Sequence, residues 1–270
     1  MKNEPINILV TLDKNYIPYF NVMISSLIRS NPGEYFNIYL LHSSLCASDT
    51  ESTEKLIGNH GKLYLTEIRE EGLSDAPTTD RYPKEMYYRI FAAKYLPEEL
   101  DRILYLDPDI IVNGSVRELY DMPMGRALFA AASHIGNNLL HFFNEIRLDI
   151  DEDMPYINSG VMLMNLRVLR EEQNFGDVFA YIESHKGRLF LPDQDIISGL
   201  YGDRIIPLDP CRYNMTEKLF LFHRQSGDKM DIDYVRNNTV IIHYCGRNKP
   251  WKSGYIGKLN IFYKEVADLI

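Results

Sequence analysis

The chain has 270 residues, enough for one large α/β domain or two small ones. Its apolar fraction of 45% is that of an ordinary globular protein, and a net charge of −9 excludes wholesale nucleic-acid binding. Cys46, Cys211 and Cys245 are odd in number and lack CxxC spacing, which argues against a disulfide framework or zinc site and fits a reducing compartment.

The N-terminus leads straight into a strand, with no signal peptide and no apolar run of about 18 residues, so a cytoplasmic chain is expected. Ile6–Leu12 reads as a first, central strand and Asp13-Lys14-Asn15-Tyr16 as a polar turn. A helix follows, with Pro18 in its first turn, Phe20, Ile24, Leu27 and Ile28 on one face, and Asn31-Pro32-Gly33 as its stop. Phe36–Leu41 is a second strand. Ser48-Asp49-Thr50-Glu51 has the capping-box pattern and opens a second helix, closed near Gly58–Gly61. Lys62–Ile68 is a third strand, and the alternation argues for a parallel sheet with right-handed crossovers. Residues 69–83 are polar and irregular, a candidate mobile loop. Pro83–Tyr95 reads as a helix carrying Arg89. Ser115 caps a short helix, Ala127–Ser133 makes a strand, and residues 134–154 read as an amphipathic helix with an acidic end. Tyr156–Asn165 reads as a polar turn running into an apolar strand, and Asn174–Lys186 as a helix. Leu191–Ile197 opens another helix, with Asp193 or Asp195 as its cap. Arg204–Leu208 and Val240–Tyr244 are further strands, and a last helix runs from about Gly257. There is no internal repeat or low-complexity linker. One domain over 1–270 is expected, with a nucleotide-binding half (1–112) and an acceptor-facing half (113–270).

The stretch most suggestive of chemistry is Asp101–Val112. Asp-x-Asp spacing occurs at Asp107/Asp109 but also at Asp149/Asp151, Asp151/Asp153, Asp193/Asp195 and Asp231/Asp233, so spacing alone carries no information. At 107–109 the acids follow the apolar run Ile103-Leu104-Tyr105-Leu106, the mark of a strand buried on both faces. They would sit at its carboxyl end, where open α/β sheets bind ligands. Pro108 lacks an N–H, so ladder pairing should lapse there. Two hard oxygen ligands facing a crevice suit Mg²⁺ or Mn²⁺ holding a diphosphate; the plainer reading is a strand-end turn with solvated acids.

Three other polar segments lie at strand ends or helix starts: Asp13–Tyr16, Asn158-Ser159-Gly160 with Asp193-Gln194-Asp195, and His243-x-x-Gly246-x-x-Lys249-Pro250-Trp251. Taken singly, His243 is a core or surface histidine, Lys249 a solvated charge, Asp193 a helix cap and Tyr16 packing. Taken in order with Asp107-Pro108-Asp109, the segments resemble the family 8 glycosyltransferases, the group containing glycogenin and bacterial lipopolysaccharide galactosyl- and glucosyltransferases. The resemblance spans residues 6–251.

That resemblance implies a single-domain nucleotide-diphospho-sugar transferase (GT-A, Rossmann-like) fold with a mixed central sheet. It implies a retaining hexose transfer from UDP-galactose or UDP-glucose to a glycan, lipid-linked or protein-linked acceptor, as in bacterial cell-surface glycan synthesis. It makes Asp107, Asp109 and His243 the ligands of Mn²⁺ (or Mg²⁺). Thr11, Leu12, Asp13, Asn15 and Tyr16 match the uridine-binding strand and turn, and Arg89 a helix residue contacting the donor. Pro108 lies between the two acidic ligands. Asn158, Ser159 and Gly160 match a turn holding the sugar, Gly246 and Lys249 the diphosphate segment, and Asp193 and Gln194 residues flanking the sugar's reactive face. An amide at 194 is a poor nucleophile, which favours attack from the leaving-group face over two inversions. The Trp251–Tyr263 stretch reads as an ordinary amphipathic helix. Family members acting on lipid-linked glycans are similar in having basic aromatic tails, which leaves open a peripheral contact with the inner membrane face. Two other classes fit less well. A sugar-1-phosphate nucleotidyltransferase needs a Gly-rich N-terminal phosphate loop, absent at Thr11–Asn15, and a non-catalytic sugar-nucleotide-binding protein does not need the full set of acids, His and Lys.

Overall fold

The computed structural model describes residues 4–68, 85–133, 144, 147–148, 150–151 and 154–270. Its strands are β1 (Ile6–Thr11), β2 (Phe36–His42), β3 (Gly61–Glu67), β4 (Arg102–Leu106), β5 (Ile110–Val112), β6 (Phe129–Ser133), β7 (Ile157–Asn165), β8 (Ile205–Leu208) and β9 (Ile241–His243). Seven of them form one sheet in the order β3-β2-β1-β4-β7-β6-β8, and β5 pairs with β9 in a separate ladder.

The central strands are apolar at almost every position because both sheet faces are covered. Ile8, Val10, Leu104 and Leu106 pack with Phe20, Met23, Ile24 and Leu27 of the helix Ile17–Ser30 on one face. Leu9, Ile103 and Tyr105 pack on the other with Ile196 and Ile197 of the helix Pro192–Tyr201. Burying each such Ile or Leu contributes about 1.5–3 kcal/mol.

The expectation of a parallel sheet holds for β3, β2, β1 and β4. It fails at β7, which runs antiparallel to both β4 and β6. The sheet is therefore mixed, as the family resemblance implies, and the reversal matters: β7 enters beside the carboxyl end of β4, with Leu106 opposite Val161. Asp107 N–H extends that ladder by one step, donating to Gly160 O at 2.8 Å, and pairing then lapses at Pro108 as expected.

The structure revises other local expectations. Asn158, Ser159 and Gly160 belong to β7 rather than to a turn before it. The expected helix Pro83–Tyr95 is two short helices, Glu85–Tyr88 and Ala92–Tyr95, interrupted where Arg89 turns its guanidinium into the cleft; Pro83 lies outside the described residues. The cap of the helix Ala47–Ile57 is Cys46, not Ser48, because Asp49 Oδ2 reaches back to Cys46 N–H at 2.9 Å. Neither Asp193 nor Asp195 is the capping residue of its helix, which opens at Pro192 after Leu191. Helices at Leu166–Glu172, Pro210–Tyr213, Glu217–Gln225 and Ile232–Asn238 were not anticipated. The loop expected at 69–83 lies outside the described residues, as does most of the helix expected at 134–154.

The β5–β9 ladder joins distant parts of the chain. Ile110 lies opposite His243, and Tyr244 N–H donates to Asp109 O at 3.0 Å. The final helix, Asn260–Ala267, buries Phe262, Tyr263 and Val266 against this ladder's cluster, which Trp251 also joins. Its aromatic side chains thus face inward, while Lys252, Lys258 and Lys264 stay exposed. No helix among the described residues is long and apolar enough to cross a membrane.

Candidate active site

Two pairings build the centre of the site. The β4–β7 ladder sets Asp107 beside Gly160, and the β5–β9 ladder sets Asp109 beside His243. His243 Nε2 lies 3.2 Å from Asp109 Oδ1 and 3.6 Å from Asp107 Oδ2. Both Asp109 Oδ1 and His243 Nε2 are buried, and neither has a hydrogen-bond partner among the described residues. Buried polar atoms left unpaired are costly, so their convergence calls for a shared partner. Asp107, Asp109 and His243 offer ligand atoms all within 4.8 Å of one another, the one such group among the described residues. Carboxylates with one imidazole suit a borderline-hard cation such as Mn²⁺, so the donor set fits the expected metal.

The space for that set depends on Gly160. A Cβ there would lie 2.6 Å from Asp107 Oδ2 and would overlap the His243 imidazole. Gly160 therefore leaves the room that the Asp107 carboxylate and the His243 ring occupy.

Each of these three side chains is oriented from behind. The Tyr105 hydroxyl donates to Asp107 Oδ1 at 2.6 Å and meets Thr11 Oγ1 at 3.1 Å. Arg89 Nη1 lies 3.1 Å from both Asp107 Oδ1 and Asp193 Oδ2, and its guanidinium sits 4.4 Å over the Tyr105 ring. Burial pushes the Asp107 carboxyl up, but Arg89 and His243 outweigh it and hold Asp107 well below the usual carboxylate range. Lys249, expected to be solvated by default, is buried and pairs with Asp109, with a further bond to Tyr244 O at 2.9 Å. Burial works against the charged form of His243, yet the Asp109 charge pushes its pKa up to about 10. Its Nδ1 is 2.8 Å from Asn214 Oδ1.

The first turn of the helix Pro192–Tyr201 supplies the next wall. Asp193 Oδ2 accepts from Ser159 Oγ at 2.8 Å, and burial raises its pKa against the pull of Arg89. The Asn158 amide is 3.5 Å from Gln194 Oε1, and Gln194 Nε2 is buried with no partner among the described residues. Asp195 is of another kind. It is fully buried and accepts from Arg147 at 2.6 and 2.7 Å, Tyr156 Oη at 2.7 Å, and the Phe190 and Leu191 N–H groups at 2.7 and 3.0 Å. Its oxygens are saturated, so it fastens the helix start and has no lone pair free for chemistry.

The opposite end is open and aromatic. Asp13 Oδ1 accepts from Asn15 N–H at 2.7 Å, which closes the turn after β1. Tyr16 packs edge-on against Tyr19 and Trp251, and those two stack at 3.8 Å between centroids. Gly246 takes φ +84°, a left-handed conformation that a β-carbon disfavours.

Asp107, Asp109, His243, Asp193, Gln194 and Tyr16 border one cleft of about 650 Å³, of a size for a small-molecule ligand. Every residue to which the family resemblance assigns a role lines it: Thr11, Leu12, Asp13, Asn15, Tyr16, Arg89, Asp107, Pro108, Asp109, Asn158, Ser159, Gly160, Asp193, Gln194, His243, Gly246 and Lys249; Asp195 does not. Sequence reading missed Tyr19, Arg247 and Lys252 on the lining, and Tyr105 and Asn214 behind it. Tyr105 carried a signal: two residues before Asp107 on a strand, it shares that residue's face. Asn214 carried none.

The profile described as Glycosyl transferase family 8 matches residues 7–254. The chain is 28% identical over 260 residues to a lipopolysaccharide 1,2-glucosyltransferase of Escherichia coli, covering 93% of this chain and 74% of that protein. It is 25% identical over 258 residues to a lipopolysaccharide 1,3-galactosyltransferase of Salmonella typhimurium, again covering 93% and 74%. In structure it is similar to the galactosyltransferase LgtC, solved with donor and acceptor sugar analogues. The TM-score is 0.84 at 22% identity, over 97% of this chain and 95% of that one. The shared fold is the GT-A fold.

Proposed function

The chain belongs to glycosyl transferase family 8 and is a hexosyltransferase, and on that premise we propose that it moves glucose or galactose from a UDP-sugar, with retention, onto a lipopolysaccharide or related glycan acceptor. The observation that carries this reading is the convergence of Asp107, Asp109 and the orphaned His243 Nε2 at the carboxyl end of β4, in the floor of the cleft. A glucosyl- and a galactosyltransferase resemble the chain to nearly the same degree, 28% and 25%, so both hexoses are proposed.

In the proposed mechanism Asp107, Asp109 and His243 hold a divalent cation, Mn²⁺ or Mg²⁺, which when bound supplies charge stabilisation for the UDP leaving group. Tyr16, with Thr11, Leu12, Asp13 and Asn15, takes the uridine in the 1–112 half, its ring offering a stacking face. Gly246 and Lys249 border the diphosphate. Arg89, Asp193, Asn158 and Ser159 orient the hexose hydroxyls, and the acceptor approaches from the 113–270 half. Asp195 is saturated by five donors and Gln194 is an amide, so neither provides a nucleophile. Same-face attack then leaves the acceptor proton to the departing phosphate oxygen. The exposed Lys252, Lys258 and Lys264 suit a peripheral contact with an anionic membrane surface, which would bring a lipid-linked acceptor to the cleft.

The test is UDP release over a panel of UDP-hexoses, with EDTA and with Mn²⁺ added back. Turnover with one hexose that EDTA abolishes and Mn²⁺ restores is expected. Binding without turnover, or turnover indifferent to EDTA, refutes the reading. A covalent hexose adduct on Asp193, Asp195 or Gln194 refutes same-face attack.

A further inference from the structure

We propose that Asn214 is a positioning residue of the metal centre: it fixes the tautomer and aim of the His243 ring so that Nε2 stays a ligand atom. The inference rests on the metal-dependent reading above and assigns a role outside the cleft lining.

His243 has two ring nitrogens with separate surroundings. Nε2 faces Asp109 Oδ1 at 3.2 Å and Asp107 Oδ2 at 3.6 Å. Nδ1 points away from the cleft to Asn214 Oδ1 at 2.8 Å. A neutral imidazole carries one N–H and one lone pair, and an amide oxygen can only accept. When the ring gives up a proton to take a cation, the one that remains therefore belongs on Nδ1 and the lone pair on Nε2, the arrangement a metal ligand needs. Without the acceptor at 214 the neutral ring is free to place its proton on Nε2, and the ring can rotate.

The backbone around Asn214 makes the contact a built one. Asn214 is 4% exposed, and His243 2%. Asn214 N–H donates to Pro210 O at 3.0 Å, closing the helix Pro210–Tyr213. The next residue, Met215, bridges Ile242, donating to Ile241 O at 3.0 Å and accepting from His243 N–H at 2.8 Å. The segment carrying Asn214 is thus registered against the strand carrying His243 by main-chain bonds that survive a change of side chain. Asn214 does not border the cleft, so an effect of its side chain on metal binding must pass through His243.

Partners of metal-bound histidines typically change affinity by about 10–100-fold when removed. The test titrates the full-length protein with Mn²⁺ alone, free Mn²⁺ being read by electron paramagnetic resonance without nucleotide. Asn214→Ala is expected to weaken binding by about 10–100-fold. Asn214→Asp, which presents acceptors only, should bind like the parent chain. Adding Asn214→Ala to His243→Ala should cost nothing further, because the ring it positions is gone. Asn214→Leu keeps the side-chain volume and stands in should the alanine variant fail to fold. Parent-like Mn²⁺ affinity in both the alanine and leucine variants would overturn the role of Asn214, as would a loss that adds in full to that of His243→Ala. Unchanged Mn²⁺ binding in Asp107→Asn and His243→Ala would instead overturn the metal reading, and this inference with it.

Discussion

Gly160→Ala is the sharpest perturbation of the proposed metal centre, because it adds one methyl group and no charge. Gly160 has no left-handed backbone conformation, so alanine meets no backbone strain there. Its Cβ would stand 2.6 Å from Asp107 Oδ2 and would overlap the His243 ring. An ordinary carbon–oxygen contact is about 3.3 Å, so the Asp107 carboxylate alone must retreat by roughly 0.7 Å. Metal–ligand distances tolerate about 0.2 Å, so the shift exceeds tolerance several-fold and at least one ligand is lost. Overpacking of this kind costs about 1–3 kcal/mol of stability, which a domain of this size survives. A folded protein that has lost Mn²⁺ binding by at least about 10-fold is therefore expected. Mn²⁺ titration beside a urea denaturation curve measures both. Parent-like Mn²⁺ affinity in Gly160→Ala would show that the ligands do not converge in front of β7.

Other substitutions separate chemistry from support. Arg89→Met removes the cation between Asp107 and Asp193, each 3.1 Å away, and leaves the buried Asp193 carboxylate without its charge partner; a loss of about 3–5 kcal/mol in urea denaturation is expected, and a loss under about 1 would refute the pairing. Asp195→Asn breaks the buried bidentate pair with Arg147 and should cost a similar 3–5 kcal/mol, so its activity should return in step with folding when osmolyte is added; a fully stable, inactive variant would make Asp195 catalytic instead. For pH, the Asp107 carboxyl is held below its unfolded value of 3.8, so the folded state binds that proton less readily than the unfolded chain. The stability it confers is present above that value and is lost as pH falls below it. The fall in urea midpoint below about pH 4 should then be shallower in Asp107→Asn, and an identical fall would contradict the assignment.

What the sequence revealed followed from local physics. The run Ile103–Leu106 declared a doubly covered strand, and Asp107 and Asp109 stood at its end because ligands collect there. The segments around residues 13, 158, 193 and 243 could be recognised as one set only through family resemblance, since what joins them is tertiary. The β5–β9 ladder shows why. It is three residues long on each side and joins positions more than 120 apart, so no periodicity announces it. Asn158-Ser159-Gly160 looked like a turn because polar residues and a glycine inside a strand are rare. Yet a strand glycine commonly marks a close approach, and here the approach is that of the Asp107 carboxylate and the His243 ring. Asn214 was beyond reach, lying 29 residues from His243 with nothing in its own neighbourhood to mark it.

The balance of buried charge in the cleft carries one more consequence. Asp107, Asp109 and Asp193 are set against Arg89 and Lys249, with His243 contributing a ligand lone pair when its ring is neutral. A divalent cation bound alone turns this near-balance positive, and a nucleoside diphosphate bound alone turns it strongly negative. Bound together they leave it nearer balance than the diphosphate alone. At an effective dielectric of about 20, unit charges about 4 Å apart interact by about 4 kcal/mol. A coupling of about 1–3 kcal/mol, the usual range between linked sites, is therefore well within reach and corresponds to about 5–150-fold. UDP should bind at least about 5-fold tighter with saturating Mn²⁺ than in EDTA, and by linkage Mn²⁺ should bind tighter with UDP by the same factor. Isothermal titration in both orders measures the two factors. Asp109→Asn, which removes one of the three acids, should shrink both equally. UDP affinity indifferent to Mn²⁺ would mean that the cation and the diphosphate do not share this cleft.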